Sequence, residues 1–157
     1  MTTSSDPHPP SPIRPEITAQ LQRGVGRALV AADHAVLFEL PLANGRRADV
    51  VSLDRDGRFT IIEIKSGLAD FQADHKWPDY KEFCDFFAFA VAADFPDGII
   101  PADEGLLIAD GFGAEFERSP RPELLSAPRR KAMLIRFARA SASRLQSLLD
   151  PMIDARP

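Results

Sequence analysis

The chain has 157 residues, of which 45% are hydrophobic and 27% charged, and its formal net charge is −4. This balance is ordinary for a globular protein long enough for one core; the acidic total excludes a uniform basic coat for nucleic acid but permits local positive charge. No apolar run approaches the ~20 residues of a membrane span, no basic segment leads into an apolar stretch at the start, and the lone Cys84 has no partner for a disulfide, so a cytoplasmic protein without membrane contact is expected.

Residues 1–14 hold Pro7, Pro9, Pro10 and Pro12 among Ser, Thr and Asp and read as a disordered arm. A single domain is expected over 15–150, followed by a tail at 151–157. Pro15 suits a first helical turn and Glu16 its N-terminal charge. Ile17, Leu21, Val25, Ala28, Leu29 and Ala32 then recur at helical spacing. Gly24 and Gly26 weaken that helix and are consistent with close packing against a sheet. Strands follow over Ala35–Leu42, Arg47–Leu53 and Phe59–Lys65, separated by Asn44-Gly45 and by Asp54-Arg55-Asp56-Gly57. Leu68–Phe71 precedes a helix over Pro78–Cys84, and Phe86–Val91 reads as a buried strand with a helical alternative. Glu104–Ala109 reads as an interior strand and Ala114–Arg118 as an edge strand. A last helix over Arg130–Leu149 is expected to turn Leu134, Phe137, Ala138, Leu145 and Leu148 to the core, and Asp150-Pro151 ends it. The order predicts an α/β fold, a mixed sheet with a three-stranded antiparallel meander flanked by helices.

Charges on otherwise apolar strands are expensive unless something pairs with them. Asp49 lies on the second strand; Glu63 and Lys65 share one face of the third, about 7 Å apart. If the two strands pair, all three groups meet. Carboxylates fixed on rigid strands can hold Mg²⁺ or Mn²⁺ against a phosphodiester, where the ion polarises the phosphoryl oxygen and lowers the pKa of bound water. A nearby lysine can orient the water or offset charge developing on the phosphate. A structural Glu63–Lys65 pair with Asp49 solvated would explain the same residues without chemistry.

The sequence resembles the PD-(D/E)XK (restriction endonuclease-like) superfamily from about Pro15 to Val91: helix, strand, strand with Asp49, strand with Glu63-Ile64-Lys65, then helix. A more specific set comprises Phe38-Glu39-Leu40-Pro41, Arg47-Ala48-Asp49-Val50, Glu63-Ile64-Lys65-Ser66, Asp70-Phe71, Asp74-His75-Lys76-Trp77, Tyr80, Cys84-Asp85 and Glu104–Asp110. In these residues the sequence is similar to the MmcB-like family of bacterial DNA-repair proteins. Ala48 stands where the superfamily signature has proline. The resemblance implies a DNA nuclease with Asp49 and Glu63 as metal ligands, the Ile64 carbonyl assisting and Lys65 acting at water or phosphate. It also implies DNA as partner, with a repair polymerase or other repair protein beside it. A non-catalytic DNA-binding or adaptor protein working with repair or translesion-synthesis machinery is the alternative, and an RNA-directed enzyme a third.

Glu39 is either a further metal ligand or an exposed strand residue. Trp77 either stacks on a base or packs in the core, while Tyr80 and Lys81 reach phosphate or serve only the fold. Between Arg118 and Arg144, Arg118, Arg121, Arg129, Arg130, Lys131, Arg136, Arg139 and Arg144 face only Glu123, a local excess of +7. With Arg46, Arg47 and Lys76, these form either a phosphate-tracking surface or a solvated helix face. His8, His34 and His75 lack zinc-ligand spacing, Gly24-Val25-Gly26 lacks a Walker lysine, and Ser66 has no evident triad partners.

Overall fold

Six strands assemble in chain order into one mixed sheet in the computed structural model, which describes residues 14–152. The expected arm therefore lies outside the described residues except for Arg14, as does the tail beyond Met152. Helix α1 runs Arg14–Ala31, followed by β1 (Ala35–Pro41), β2 (Arg47–Leu53) and β3 (Phe59–Ile64). Next come α2 (Leu68–Ala73), a 3-10 helix (Trp77–Phe83) and β4 (Phe86–Val91). Strands β5 (Gly105–Ala109) and β6 (Ala114–Arg118) precede α3 (Ala127–Leu149). Neighbours β1–β2, β2–β3 and β5–β6 are antiparallel, whereas β3–β4 and β4–β5 are parallel. Parallel strands need a crossover; α2 and the 3-10 helix supply the first.

Alternation along β3 sorts its residues between two cores. Ile62 and Ile64 face α1, where Leu21, Val25 and Leu29 lie against Val50, Ala88, Ala90 and Leu107. Phe59 and Ile61 face the opposite layer with Val51, Phe87, Phe89, Tyr80, Cys84, Met133 and Phe137. Burial of each large apolar side chain contributes about 1.5–3 kcal/mol. At Gly24 a Cβ would stand 1.8 Å from the Asp110 carbonyl oxygen, and at Gly26 2.5 Å from the Phe38 ring. Both glycines thus let α1 settle onto the sheet.

Helix α3 departs from the expected packing. Met133 and Phe137 are its buried residues, while Leu134, Leu145 and Leu148 are exposed and Ala138 faces solvent. Arginines do much of the docking instead. Arg130 makes a bidentate pair with fully buried Asp85, at 2.8 and 2.6 Å, and Asp85 also accepts from the amides of Phe59 and Leu125. Arg136 donates to the Pro41 carbonyl, and Arg144 to those of Phe38 and Glu39. These contacts cover carbonyls of edge strand β1 that would otherwise invite pairing with another chain. The segment expected as a helix over Pro78–Cys84 is a 3-10 helix whose second residue is Pro78.

Candidate active site

The backbone ladder between β2 and β3 runs from Leu53↔Phe59 to Val50↔Ile62. At the next rung, side chains replace it. The Asp49 amide donates to Glu63 Oε1 at 3.1 Å, and the Ile64 amide donates to Asp49 Oδ2 at 2.9 Å. Two carboxyl groups therefore occupy the place where the strands part, each anchored through one oxygen by a main-chain N–H. They lie within hydrogen-bonding reach of one another. No basic side chain forms a salt bridge with either among the described residues.

This placement has an electrostatic consequence. Burial, reinforced by the charge of Asp49, pushes the Glu63 pKa up to about 9. Burial also raises that of Asp49, against the lowering effects of the Ile64 amide and Lys65. Two adjacent carboxyl groups, Glu63 buried and Asp49 half-buried, resist ionising together unless a cation joins them.

Lys65 follows directly from β3 and is 5% exposed. Its Nζ lies 2.6 Å from Asp74 Oδ2, and its amide donates to the Ala90 carbonyl of β4. Asp74 comes from the stretch just after α2 and its other oxygen accepts from the Lys76 amide. Asp70 accepts from both the amide and hydroxyl of Ser66, fixing the turn between Lys65 and α2. From the opposite layer, Gln22 of α1 donates to the Asp49 carbonyl at 3.2 Å. Tyr80 donates from its hydroxyl to the Arg47 carbonyl at 3.1 Å, tying the 3-10 helix to the start of β2.

The other expected site residues divide by what holds them. Glu39 sits in β1 with φ 54°, a left-handed conformation rare for a residue with a side chain. Such a conformation costs about 1–3 kcal/mol. Its carboxylate pairs with Arg47 at 2.8 Å, and no group of three or more His, Cys, Asp or Glu suited to a metal occurs among the described residues. Arg46 pairs with Asp79, and Lys81 with Glu104 and Glu123. Trp77 stacks on Phe87 with centroids 5.6 Å apart and meets Phe89 edge-on, so its ring serves the core rather than an open face. Arg130 is committed to Asp85. Arg129 and Lys131 are exposed, as is Lys76. Asp74, Gln22 and Asp85 had no assigned role in the sequence reading. Asp74 and Asp85 stand among the residues that carry the family resemblance, and Asp85 also lies immediately before the apolar run of β4; Gln22 carries no such signal.

No helix among the described residues is long and apolar enough to cross a membrane. No curated protein matches the chain significantly. Among solved structures, a protein of unknown function from Silicibacter pomeroyi is similar, with a TM-score of 0.81 and 45% identity, over 83% of this chain and 90% of that one. The family model described as "DNA repair protein MmcB-like" matches residues 6–152. That match spans both strands of the carboxyl pair, the Lys65–Asp74 contact and α3, and it points to a role in DNA repair: the chain belongs to the MmcB-like family of DNA repair proteins.

Proposed function

We propose that this protein is a divalent-metal-dependent deoxyribonuclease acting in DNA repair. In this reading its sheet is a restriction endonuclease-like, PD-(D/E)XK core, with β1, β2 and β3 as the antiparallel meander that carries the site. The supporting observation is the carboxyl pair: Asp49 and Glu63 are close enough to hydrogen-bond, Glu63 is buried and Asp49 half-buried, and neither is salt-bridged to a basic side chain among the described residues. Two hard oxygen donors suit Mg²⁺ or Mn²⁺, which commonly takes one or two carboxylates and fills its remaining positions with water and substrate phosphate. Asp49 and Glu63 would hold the ion with the Ile64 carbonyl, leaving Glu39 on Arg47.

A bound Mg²⁺ or Mn²⁺ polarises the scissile phosphate and eases ionisation of the attacking water. The chain's own part is positional. Main-chain amides fix one oxygen of each carboxyl, so the pair meets substrate without reorganising. Lys65 places an ammonium beside the reacting phosphate to offset the charge that develops there, and Asp74 holds that ammonium in place. The low exposure of Glu63 and Lys65 strengthens each of these interactions relative to water.

The test is cleavage of single-stranded, duplex, flapped and branched DNA with Mg²⁺ or Mn²⁺, comparing wild type with Glu63→Ala and Lys65→Ala. Metal-dependent cutting by wild type is expected to fall at least ~100-fold in each variant; cutting that survives both would overturn the site. One observation favours a second reading, a non-catalytic DNA-binding or adaptor protein working with a repair or translesion polymerase. Lys65 is bonded to Asp74 and not to the carboxyl pair. Absence of cutting on every substrate, with DNA binding retained by all three proteins, would select that reading.

A further inference from the structure

A groove of about 480 Å³ runs between α3 and the β1–β2 end of the sheet. Leu40, Pro41, Phe83, Met133 and Ile135 supply its apolar surface, and Arg136 and Arg139 stand on its helical side. Three observations bear on what would fill it. Ile135, which lines the groove, is 50% exposed; an exposed branched apolar side chain beside an apolar floor is a recurring mark of an interaction surface. Helix α3 carries Arg129, Arg130, Lys131, Arg136, Arg139 and Arg144 with no acidic residue over Ala127–Leu149. Arg139 has no hydrogen-bond or ion-pair partner among the described residues.

From these we infer that the groove beside α3 docks an acidic amphipathic helix of a partner protein. Its apolar face would cover Ile135 and the Leu40–Phe83 floor, and its carboxylates would meet Arg136 and Arg139. Helix-in-groove recognition reads apolar anchors at i, i+3, i+4 and i+7 and takes its orientation from flanking charge. A second copy of α3 fits poorly, because each α3 presents Arg129, Lys131 and Arg139, unpaired among the described residues, and no acid, so two such faces repel. Single-stranded nucleic acid fits less well than a peptide, because successive bases need a run of exposed aromatic platforms, and the groove offers one half-buried ring, Phe83, in its floor while Phe137 of α3 is buried. The groove reaches Pro41, which pairs with Arg47 across β1–β2, so a docked partner would sit close to the carboxyl pair. The inference does not depend on cleavage by that pair.

The experiment is fluorescence anisotropy at near-physiological salt with the full chain and a labelled synthetic peptide. The peptide carries leucines at i, i+3, i+4 and i+7 with glutamate at most other positions; a scrambled peptide of the same composition and a single-stranded oligonucleotide of equal charge serve as competitors. Saturable binding is expected to weaken at least tenfold in Ile135→Ser and in Arg139→Glu, and to persist in Arg121→Ser, which lies outside the groove. Circular dichroism of each variant reports that the fold is kept. No saturable binding, equal binding of the scrambled peptide, or insensitivity to the two groove variants would overturn the proposal. So would oligonucleotide binding that is lost in those variants while the peptide is indifferent to them, which marks a nucleic-acid face. Sedimentation that reveals a dimer dissociated by Ile135→Ser would overturn it in favour of self-association.

Discussion

Glu63 is where residue-scale electrostatics and the proposed chemistry make one prediction. Its folded-state pKa, raised to about 9, lies far above that of the ordinary carboxylate it is in the unfolded chain. A raised carboxyl pKa contributes stability that is complete below the unfolded value and is lost as pH rises toward the folded one. In chelator-treated protein at pH 8, the native state must keep or take up a proton that the unfolded state has released. Glu63→Gln carries a neutral group of similar size and escapes that cost. Its melting temperature at pH 8 is therefore expected to exceed that of wild type by roughly 2–4 °C, equivalent to about 1 kcal/mol in a domain of this size. The gap should close near pH 5, where the wild-type side chain is protonated at little cost. Added Mg²⁺ should reverse the order at pH 8, since wild type gains a ligand-linked shift that the glutamine cannot support. Differential scanning fluorimetry at both pH values, with and without Mg²⁺, checks the sign; a Glu63→Gln protein less stable than chelated wild type at pH 8 contradicts it.

At the scale of elements, the tightest constraint is the seat of α1. A methyl at position 24 would press on two main-chain oxygens, those of Asp110 and Gly113, 1.8 and 2.6 Å from the built Cβ. Backbone cannot rotate aside as a side chain can, so α1 would have to lift from the β5–β6 turn. Gly24→Ala is expected to destabilise the protein by about 1–3 kcal/mol or more, outweighing the roughly 1 kcal/mol that alanine ordinarily adds to a helix; urea unfolding measures the balance. Those glycines illustrate what sequence reveals at this scale. Two glycines inside a 3.6-residue pattern signal close approach, and the bounds of β2, β4 and β6 follow the flanking turn and proline signals, although the apolar run of β4 by itself also suits a helix and β6 carries Glu115, Glu117 and Arg118. Of the α3 residues expected to face the core, Phe137 does and the others do not, for periodicity identifies a stripe but not what lies beneath it. Anchored by Met133, Phe137 and a set of arginine contacts, α3 leaves Leu134, Leu145 and Leu148 outside. The candidate site shows the same division. Asp49 and Glu63 could be brought together from strand order alone. Asp74 could not be assigned to Lys65, because it lies beyond an irregular turn where no repeat constrains direction, and Gln22 reaches Asp49 from a different layer.

For the whole molecule, the question is how a chain of net charge −4 would hold DNA. Counting residues along the sequence suggests eleven phosphate contacts, the eight cations of 118–144 with Arg46, Arg47 and Lys76. Most of these are already engaged. Carboxylates hold Arg46, Arg47, Arg121 and Arg130, while Arg118, Arg136 and Arg144 donate to main-chain carbonyls of the sheet and its loops. Arg129, Lys131 and Arg139 remain, with Lys76 near the candidate site. Counterion release makes the distinction measurable, since log K falls against log salt with a slope of about −0.9 for each phosphate neutralised on duplex DNA. Four contacts predict a slope of about −3.6, and eleven about −10. Anisotropy titrations of a duplex in Ca²⁺ over a range of salt are expected to give the shallower value. Lys131→Gln should reduce its magnitude by about one, whereas a substitution in a committed pair such as Arg121→Gln should leave it unchanged. A slope near about −10 would mean that DNA draws the arginines of α3 away from β1 and Asp85, and the helix would then have to move when the protein binds.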